Sequence, residues 1–294
     1  MHEENFEDPS LFFGDEAREG FWDLYKSERR FKDYKLGTDD IKDPRFAYLQ
    51  TCKELKVHPK ARLLIRDKKT SHLDYSNLIL LNKSAVAVAE AIKRYTLPVE
   101  SITISNNGLK PKECQLLIES FTRHYQMISS LTISKNKLGI EGAKYLSGSL
   151  SEMKILSKLV LADDEIGDAG VSELIYNCRN YCSLEYLDIS GNNLGKSSAA
   201  LEFADNMNAY LTNNQYLEVL KMNWNSLRDE IAEKVIEGLI DALSIKEFHI
   251  SNNLIGVSYN ERQPPGKGPD SADKQKKAPP VNKMAELLQK SKNL

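Results

Sequence analysis

One pattern recurs down this 294-residue chain: two apolar residues separated by one, an Asn three positions after the second, and a further apolar residue two positions on. It reads Ile102-x-Ile104-x-x-Asn107-x-Leu109, Leu131-x-Ile133-x-x-Asn136-x-Leu138 and Leu159-x-Leu161-x-x-Asp164-x-Ile166. It continues as Leu187-x-Ile189-x-x-Asn192-x-Leu194, Leu220-x-Met222-x-x-Asn225-x-Leu227 and Phe248-x-Ile250-x-x-Asn253-x-Ile255. A degenerate seventh copy, Leu73-x-Tyr75, precedes these, with Leu78 in the Asn position. From Leu73 onward the first positions are spaced by 29, 29, 28, 28, 33 and 28 residues. A period this regular leaves room only for a stack of like repeats, because no single repeat buries its own apolar face without neighbours.

Each residue type has a physical task. The paired apolar residues alternate along a short strand so that both enter the core, and the Asn side chain bonds backbone groups where the chain turns inward. The second half of each repeat reads as a helix, as in 142–150 or 231–239, with apolar residues three to four apart. Repeats of 28 or 29 residues with a full helix resemble the ribonuclease inhibitor-like leucine-rich repeats. The fold expected is therefore an α/β leucine-rich repeat solenoid, with short parallel strands on a concave face and helices outside. Seven strands at ~4.8 Å separation predict a bracket only ~30 Å across.

Length and composition support one solenoid with appendages. With 41% hydrophobic and 28% charged residues the chain buries one elongated core rather than two large ones. It holds no run of 18 apolar residues, and its first residues are acidic, so a soluble intracellular protein is expected, with no membrane partner. Cys52, Cys114, Cys178 and Cys182 are read as small buried apolar residues, since none has the neighbours of a metal site. A net charge of −2 gives no reason to expect nucleic acid.

The charge is unevenly placed. Residues 1–23 carry eight acids against Arg18, a sum of −7, whereas 257–294 carry eight bases against four acids, a sum of +4. We divide the chain accordingly: an acidic aromatic arm (1–45), an N-terminal cap (46–70), the solenoid (71–256, about seven repeats, the last one half) and a basic Pro/Gly/Lys tail (257–294). Phe12, Phe13, Phe21 and Trp22 in the arm either fold back or dock into a partner. The stretch 46–70 reads as a helix, a break at His58-Pro59 and a cap for the first strand. After Gly256 the Pro/Gly-rich sequence cannot continue a helix. The open edge calls for a cover, either a short amphipathic helix over 281–291, with Val281, Met284, Leu287 and Leu288 on one side, or another chain. The 33-residue repeat places about five extra residues in the helical half around Ala199–Asn214.

Signatures of catalysis are missing from the sequence: GxxxxGK[ST], HExxH, GxSxG, Cys-x-x-Cys and EF-hand loops do not occur, and the five His residues are scattered. No enzyme activity, cofactor or metal is expected. Binding surfaces are better marked. Residues between and just after the paired apolar positions line the inner face, among them Thr103, Ser105, Thr132, Ser134, Lys135, Val160, Asp163, Asp188, Ser190, Lys221, Asn223, Trp224, His249 and Ser251. Lys135, Asp163, Asp188, Lys221, Asn223, Trp224 and His249 are the candidate partner contacts there. Trp224, just before a ladder Asn, is either an exposed interface anchor or packed on the Asn192 or Asn253 region.

Within the ribonuclease inhibitor-like group, Tyr48-Leu49-x-x-Cys52-x-x-Leu55-x-Val57-x-Pro59, the degenerate Leu73-x-Tyr75 strand and the Asn223-Trp224-Asn225 turn resemble the leucine-rich repeat-containing protein 74 family. They are also similar to the leucine-rich subunit of the nexin-dynein regulatory complex. The resemblance covers about residues 46–256. It implies a non-catalytic scaffold joined to protein partners in a hetero-oligomeric assembly, of the cytoskeleton or the ciliary axoneme. Ran GTPase-activating protein shares the repeat type and supplies the alternative, a GTPase-activating or signalling regulator. Its acidic tail is replaced here by a basic one, and no Arg stands in the strand-following loops of the early repeats.

Overall fold

The architecture follows from six repetitions of one strand pairing. In the computed structural model, which describes residues 44–60, 70–181 and 183–256, seven three-residue strands lie parallel in one sheet in chain order. They are β1 (His72–Asp74), β2 (Ser101–Thr103), β3 (Ser130–Thr132), β4 (Lys158–Val160), β5 (Tyr186–Asp188), β6 (Val219–Lys221) and β7 (Glu247–His249). The first apolar residue of each repeat pairs with the next: Leu73 with Ile102, then Leu131, Leu159, Leu187, Leu220 and Phe248. Alternation puts these residues and their partners two positions on into the core, and the intervening side chains on the open face. The fold is an α/β leucine-rich repeat solenoid.

The described helices are α1 (Pro44–Leu55), α2 (Lys83–Lys93), α3 (Pro111–Ser120), α4 (Gly139–Leu150), α5 (Gly167–Tyr181), α6 (Ala200–Asn213) and α7 (Asp229–Asp241), with a 3₁₀ turn at Thr122–Met127. The described residues group into two compact units, 44–60 and 70 with 82–97, and 71–81 with 98–181 and 183–256. In the first, α1 packs on α2, burying Ala47, Tyr48 and Cys52 of one helix and Ala85, Val88, Ala89 and Ile92 of the other. Lys83 Nζ donates to the Leu55 carbonyl at the C-terminus of α1, and the Lys60 N–H donates to Tyr48 Oη. The expected helix before His58-Pro59 is present but begins at Pro44, inside the segment assigned to the arm. Helix α2, which the sequence places in the solenoid, groups with α1.

In the second unit, consecutive helices from α3 to α7 pack on one another, each turning an apolar stripe inward. Helix α7 shows the period, with Ile231, Ala232, Val235, Ile236 and Leu239 buried on one side. The Asn positions form a continuous ladder. Asn107 Oδ1 accepts the Leu78 N–H, Asn136 Oδ1 the Asn107 N–H, Asp164 Oδ1 the Asn136 N–H, Asn192 Oδ1 the Asp164 N–H and Asn225 Oδ1 the Asn192 N–H. These bonds, of 2.7 to 3.1 Å, satisfy backbone groups that the turn would otherwise bury unpaired.

The long repeat corrects an expectation. Helix α6 has 14 residues against 15 in α5, so the helical half is not extended. The difference lies ahead of it: α4 and α5 begin three residues after Asn136 and Asp164, α3 and α7 begin four after Asn107 and Asn225, and α6 begins eight after Asn192. The added residues form a turn around Gly195–Ala199, between strand and helix. It is held by buried Asp168, whose Oδ1 accepts the Gly195 N–H at 2.7 Å and whose Oδ2 accepts the Ser197 N–H and hydroxyl at 3.1 and 2.7 Å. Spacing locates an insertion only to within a repeat; the hydrogen bonds that absorb it decide where the chain bulges.

At β7 the counterparts of fully buried positions, namely Phe248, Ile250, Asn253 and Ile255, are partly exposed. The arm, with Phe12, Phe13, Phe21 and Trp22, and the tail, with Met284, Leu287 and Leu288, lie outside the described residues, as does Cys182. Cys52, Cys114 and Cys178 are buried and stand outside any disulfide, in keeping with the reading of them as small buried residues. Desolvation pushes Cys52 up to about 11 and Cys114 up to about 12, which keeps both in the unreactive thiol form. Among the described residues no helix is long and apolar enough to cross a membrane.

Candidate functional site

The residue before each ladder position turns the chain out of the strand, and in all seven repeats it has a positive φ. Asn77, Asn106, Lys135, Asp163, Trp224 and Asn252 lie between 54° and 59°, and Gly191 is at 69°. This left-handed region suits Gly, Asn and Asp, and a bulky side chain there costs on the order of 1 kcal/mol. Trp224 is the misfit of the series, and its side chain gains no burial in return: it is 69% exposed. The sequence left Trp224 either as an anchor or as a packed residue; the structure places it on the surface.

Its position is firmly held. The Trp224 N–H donates to the Ser251 carbonyl, the Asn223 N–H to Ser190 Oγ, and Asn223 Oδ1 accepts the Ser251 N–H. The insertion turn braces the same loop from the other side. The Ser226 N–H donates to the Leu194 carbonyl, and Gly195 at φ 85° lies so close that a Cβ would stand 2.6 Å from the Ser226 carbonyl oxygen. Backbone and side-chain hydrogen bonds thus fix the loop that carries the exposed indole.

The open face divides into two halves. Strands β2 and β3 present Ser101, Thr103, Ser130 and Thr132, all short and polar. From β4 to β7 the same positions hold Lys158, Val160, Tyr186, Asp188, Val219, Lys221, Glu247 and His249. Register sets Asp188 beside Lys221 and Lys221 beside His249. Tyr186 takes two cations, Lys158 Nζ at 5.0 Å and Lys221 Nζ at 5.2 Å from its ring centroid. The Lys221 ammonium is held above its ordinary pKa first by its hydrogen bond to Tyr186, then by the charges of Asp188 and Glu247. His249 Nε2 lies 3.5 Å from Glu247 Oε2.

The candidate residues thus have distinct roles. Asp188, Lys221, Asn223, Trp224 and His249 come together over β5–β7, while Lys135 and Asp163 lie on earlier turns. Asn223 spends its side chain on Ser251, and Asp188 Oδ1 accepts the Ser190 N–H two residues on. Asp163 curls over the adjacent repeat, its Oδ1 filling the space a Cβ on Gly191 would need. The sequence reading missed Lys158, Tyr186, Val219 and Glu247. A strand has period two, so the residue before the first apolar position shares a face with the one after it, and that signal was available. A depression lined by Arg179, Tyr210, Asn213, Asn214, Gln215 and Tyr216 holds about 110 Å³, against ~300–1,000 Å³ for small-molecule sites.

Family models agree with the repeat fold. Leucine Rich Repeat family models match residues 183–203 and 213–235, the segments that carry Tyr186, Asp188, Lys221 and Trp224. The mouse (Mus musculus) NACHT, LRR and PYD domains-containing protein 5 is 23% identical over 257 residues, covering 80% of this chain and 21% of that protein. The chain therefore spans about a fifth of the length of that relative. A chain in the crystal structure of the TLR13-ssRNA13 complex aligns with a TM-score of 0.31 and 13% identity, over 59% of this chain and 31% of that one. The matched segments are two of the repeats that build the leucine-rich repeat solenoid.

Proposed function

We propose that this protein is a non-catalytic adaptor that grips a protein partner on the β5–β7 half of its open face, with Trp224 as the anchor. The carrying observation is Trp224 itself: a large aromatic kept exposed in a backbone conformation that disfavours it, where six other repeats place Asn, Lys, Asp or Gly. Trp is among the residues that dominate interface energetics when a partner desolvates them. Tyr186 with its two lysines, Asp188, Glu247 and His249 supply a polar, charge-balanced surround that sets register more than affinity.

The wider reading rests on the sequence resemblance. The oppositely charged terminal segments tie the adaptor into a larger hetero-oligomeric assembly, of the kind found in the ciliary axoneme. The arm's Phe12, Phe13, Phe21 and Trp22 and the tail's Met284, Leu287 and Leu288 are the contacts proposed for those segments.

A photo-crosslinking amino acid placed at His249, and separately at Thr103, in the full chain tests the face directly. In an extract of ciliated cells, position 249 is expected to yield a discrete cross-linked product that Trp224→Ala abolishes, and position 103 is expected to yield none. Equal labelling from both positions, or a product indifferent to Trp224→Ala, rejects the assignment. A tagged full chain that stays out of axonemes in ciliated cells rejects the axonemal setting while leaving the face standing.

A further inference from the structure

Asp164 occupies an Asn position in the ladder, and the substitution has a chemical consequence. At every neighbouring position the side-chain amide does two things. Its Oδ1 accepts backbone N–H groups, and its Nδ2 donates to two carbonyls: that of the second apolar residue one repeat earlier and that of the residue two before the Asn itself. Asn136 Nδ2 donates to the Ile104 and Ser134 carbonyls at 2.9 and 3.1 Å, and Asn192 Nδ2 to the Leu161 and Ser190 carbonyls at 2.6 and 3.1 Å. Asn107 repeats the arrangement with the Tyr75 and Ser105 carbonyls.

Asp164 keeps the first half of this. Its Oδ1 accepts the Asn136 N–H at 2.7 Å, and its own N–H donates to Asn192 Oδ1 at 3.1 Å, so the residue sits in register. Its other atom, Oδ2, takes the side on which the neighbours carry an NH₂ group. By the same register the groups there are the Ile133 and Ala162 carbonyls. Asp164 is 0% exposed, and Oδ2 is buried without a hydrogen-bond partner. An ionised carboxylate would set a negative oxygen against carbonyl oxygens in a dry interior, each repelling the other.

We propose that Asp164 is a neutral carboxylic acid in the folded protein, its Oδ2–H replacing the amide donor, so that the joint between the third and fourth strands is held by a proton. The ionisable groups acting on this site are all unfavourable to a negative charge. Asp163 and Glu165 flank it on its own turn, Cys114 on α3 is coupled to it, and the ladder neighbours Asn136 and Asn192 are neutral. Burial is the leading influence and pushes the carboxyl up to about 8, with only the Asn136 N–H opposing.

The sign of the linkage follows. Between its ordinary value of 3.8 and about 8 the folded chain holds a proton that the unfolded chain has released. Stability from this group is complete below about 4, falls as pH rises, and is exhausted above about 8. An Asn at this position supplies the donor at every pH.

Urea denaturation of the full chain, wild type against Asp164→Asn, at half-unit steps from pH 5 to 9 tests the proposal. The ratio of the two unfolding constants is expected to rise in favour of Asp164→Asn by up to tenfold per pH unit, then level off near pH 8. A ratio independent of pH, or one that shrinks as pH rises, overturns it. A second readout works on the wild type alone: with ¹³C-labelled Asp carboxyls, one resonance is expected to keep its protonated shift well above pH 5 and to be missing from the Asp164→Asn spectrum. If every Asp resonance has titrated by pH 5, Asp164 is ionised and the proposal fails.

Discussion

Asn225 Oδ1 accepts the backbone N–H of Asn192 at 2.8 Å, joining two repeats 33 residues apart through one buried amide. The same side chain accepts the Leu194 N–H at 3.1 Å, and its Nδ2 contacts the Ile189, Met222 and Asn223 carbonyls at 3.1 to 3.3 Å. Asn225→Leu removes all of these and leaves buried backbone groups unpaired. The expected loss is about 3 kcal/mol in urea denaturation. Asn253→Leu, at the partly exposed end of the ladder, is expected to cost under half as much, because water reaches the freed groups. Equal losses at both sites would show that burial does not set the cost.

Trp224 should behave as a residue kept for contact rather than for folding. Replacement by Asn, the residue at three of its six counterparts, is expected to leave stability unchanged or to raise it by about 0.5–1 kcal/mol. Binding of the partner identified by cross-linking is expected to weaken at least tenfold. A Trp224→Asn protein that melts several degrees lower with unaltered binding would assign Trp224 to packing.

Gly195→Ala places a methyl 2.6 Å from the Ser226 carbonyl oxygen, at a φ of 85° that an L-residue resists. A cost of about 2 kcal/mol is expected. Since Ser226 follows the Trp224–Asn225 turn, the tryptophan fluorescence maximum is expected to shift in the folded variant when measured in a Trp22→Phe background. No shift would separate the insertion turn from the Trp224 loop.

Asp168 closes the insertion turn with three hydrogen bonds. Asp168→Ala is expected to cost about 2 kcal/mol and to raise amide exchange at Gly195 and Ser197 before the rest of the sheet. Exchange that rises only globally would show that the turn is not an independently held element.

How much of this was legible in the sequence depends on whether a property repeats. The strands, the ladder positions and the inward helix faces recur seven, six and several times, and repetition converts a weak local signal into a register that chance does not produce. The single-copy features resisted. The 33-residue spacing announced an insertion, but its place between Asn192 and α6 was settled by Asp168, a residue of the preceding helix that no local pattern connects to Gly195. Tyr186 was overlooked although period-two alternation points it outward, and its two lysines come from strands 28 and 35 residues away in sequence. Grouping α2 with α1 was likewise a matter of packing, since its apolar spacing is that of a repeat helix.

Trp224 and Asp164 show the division most clearly. The sequence alone determined the stack, the register of its strands and the fact that both residues break the local rule of their position. Their significance came from tertiary structure. Whether a misfit is strain or function depends on exposure, and whether an acid carries its proton depends on the groups packed against it. Both are properties of neighbours brought together from distant repeats, and a one-dimensional pattern holds no record of them.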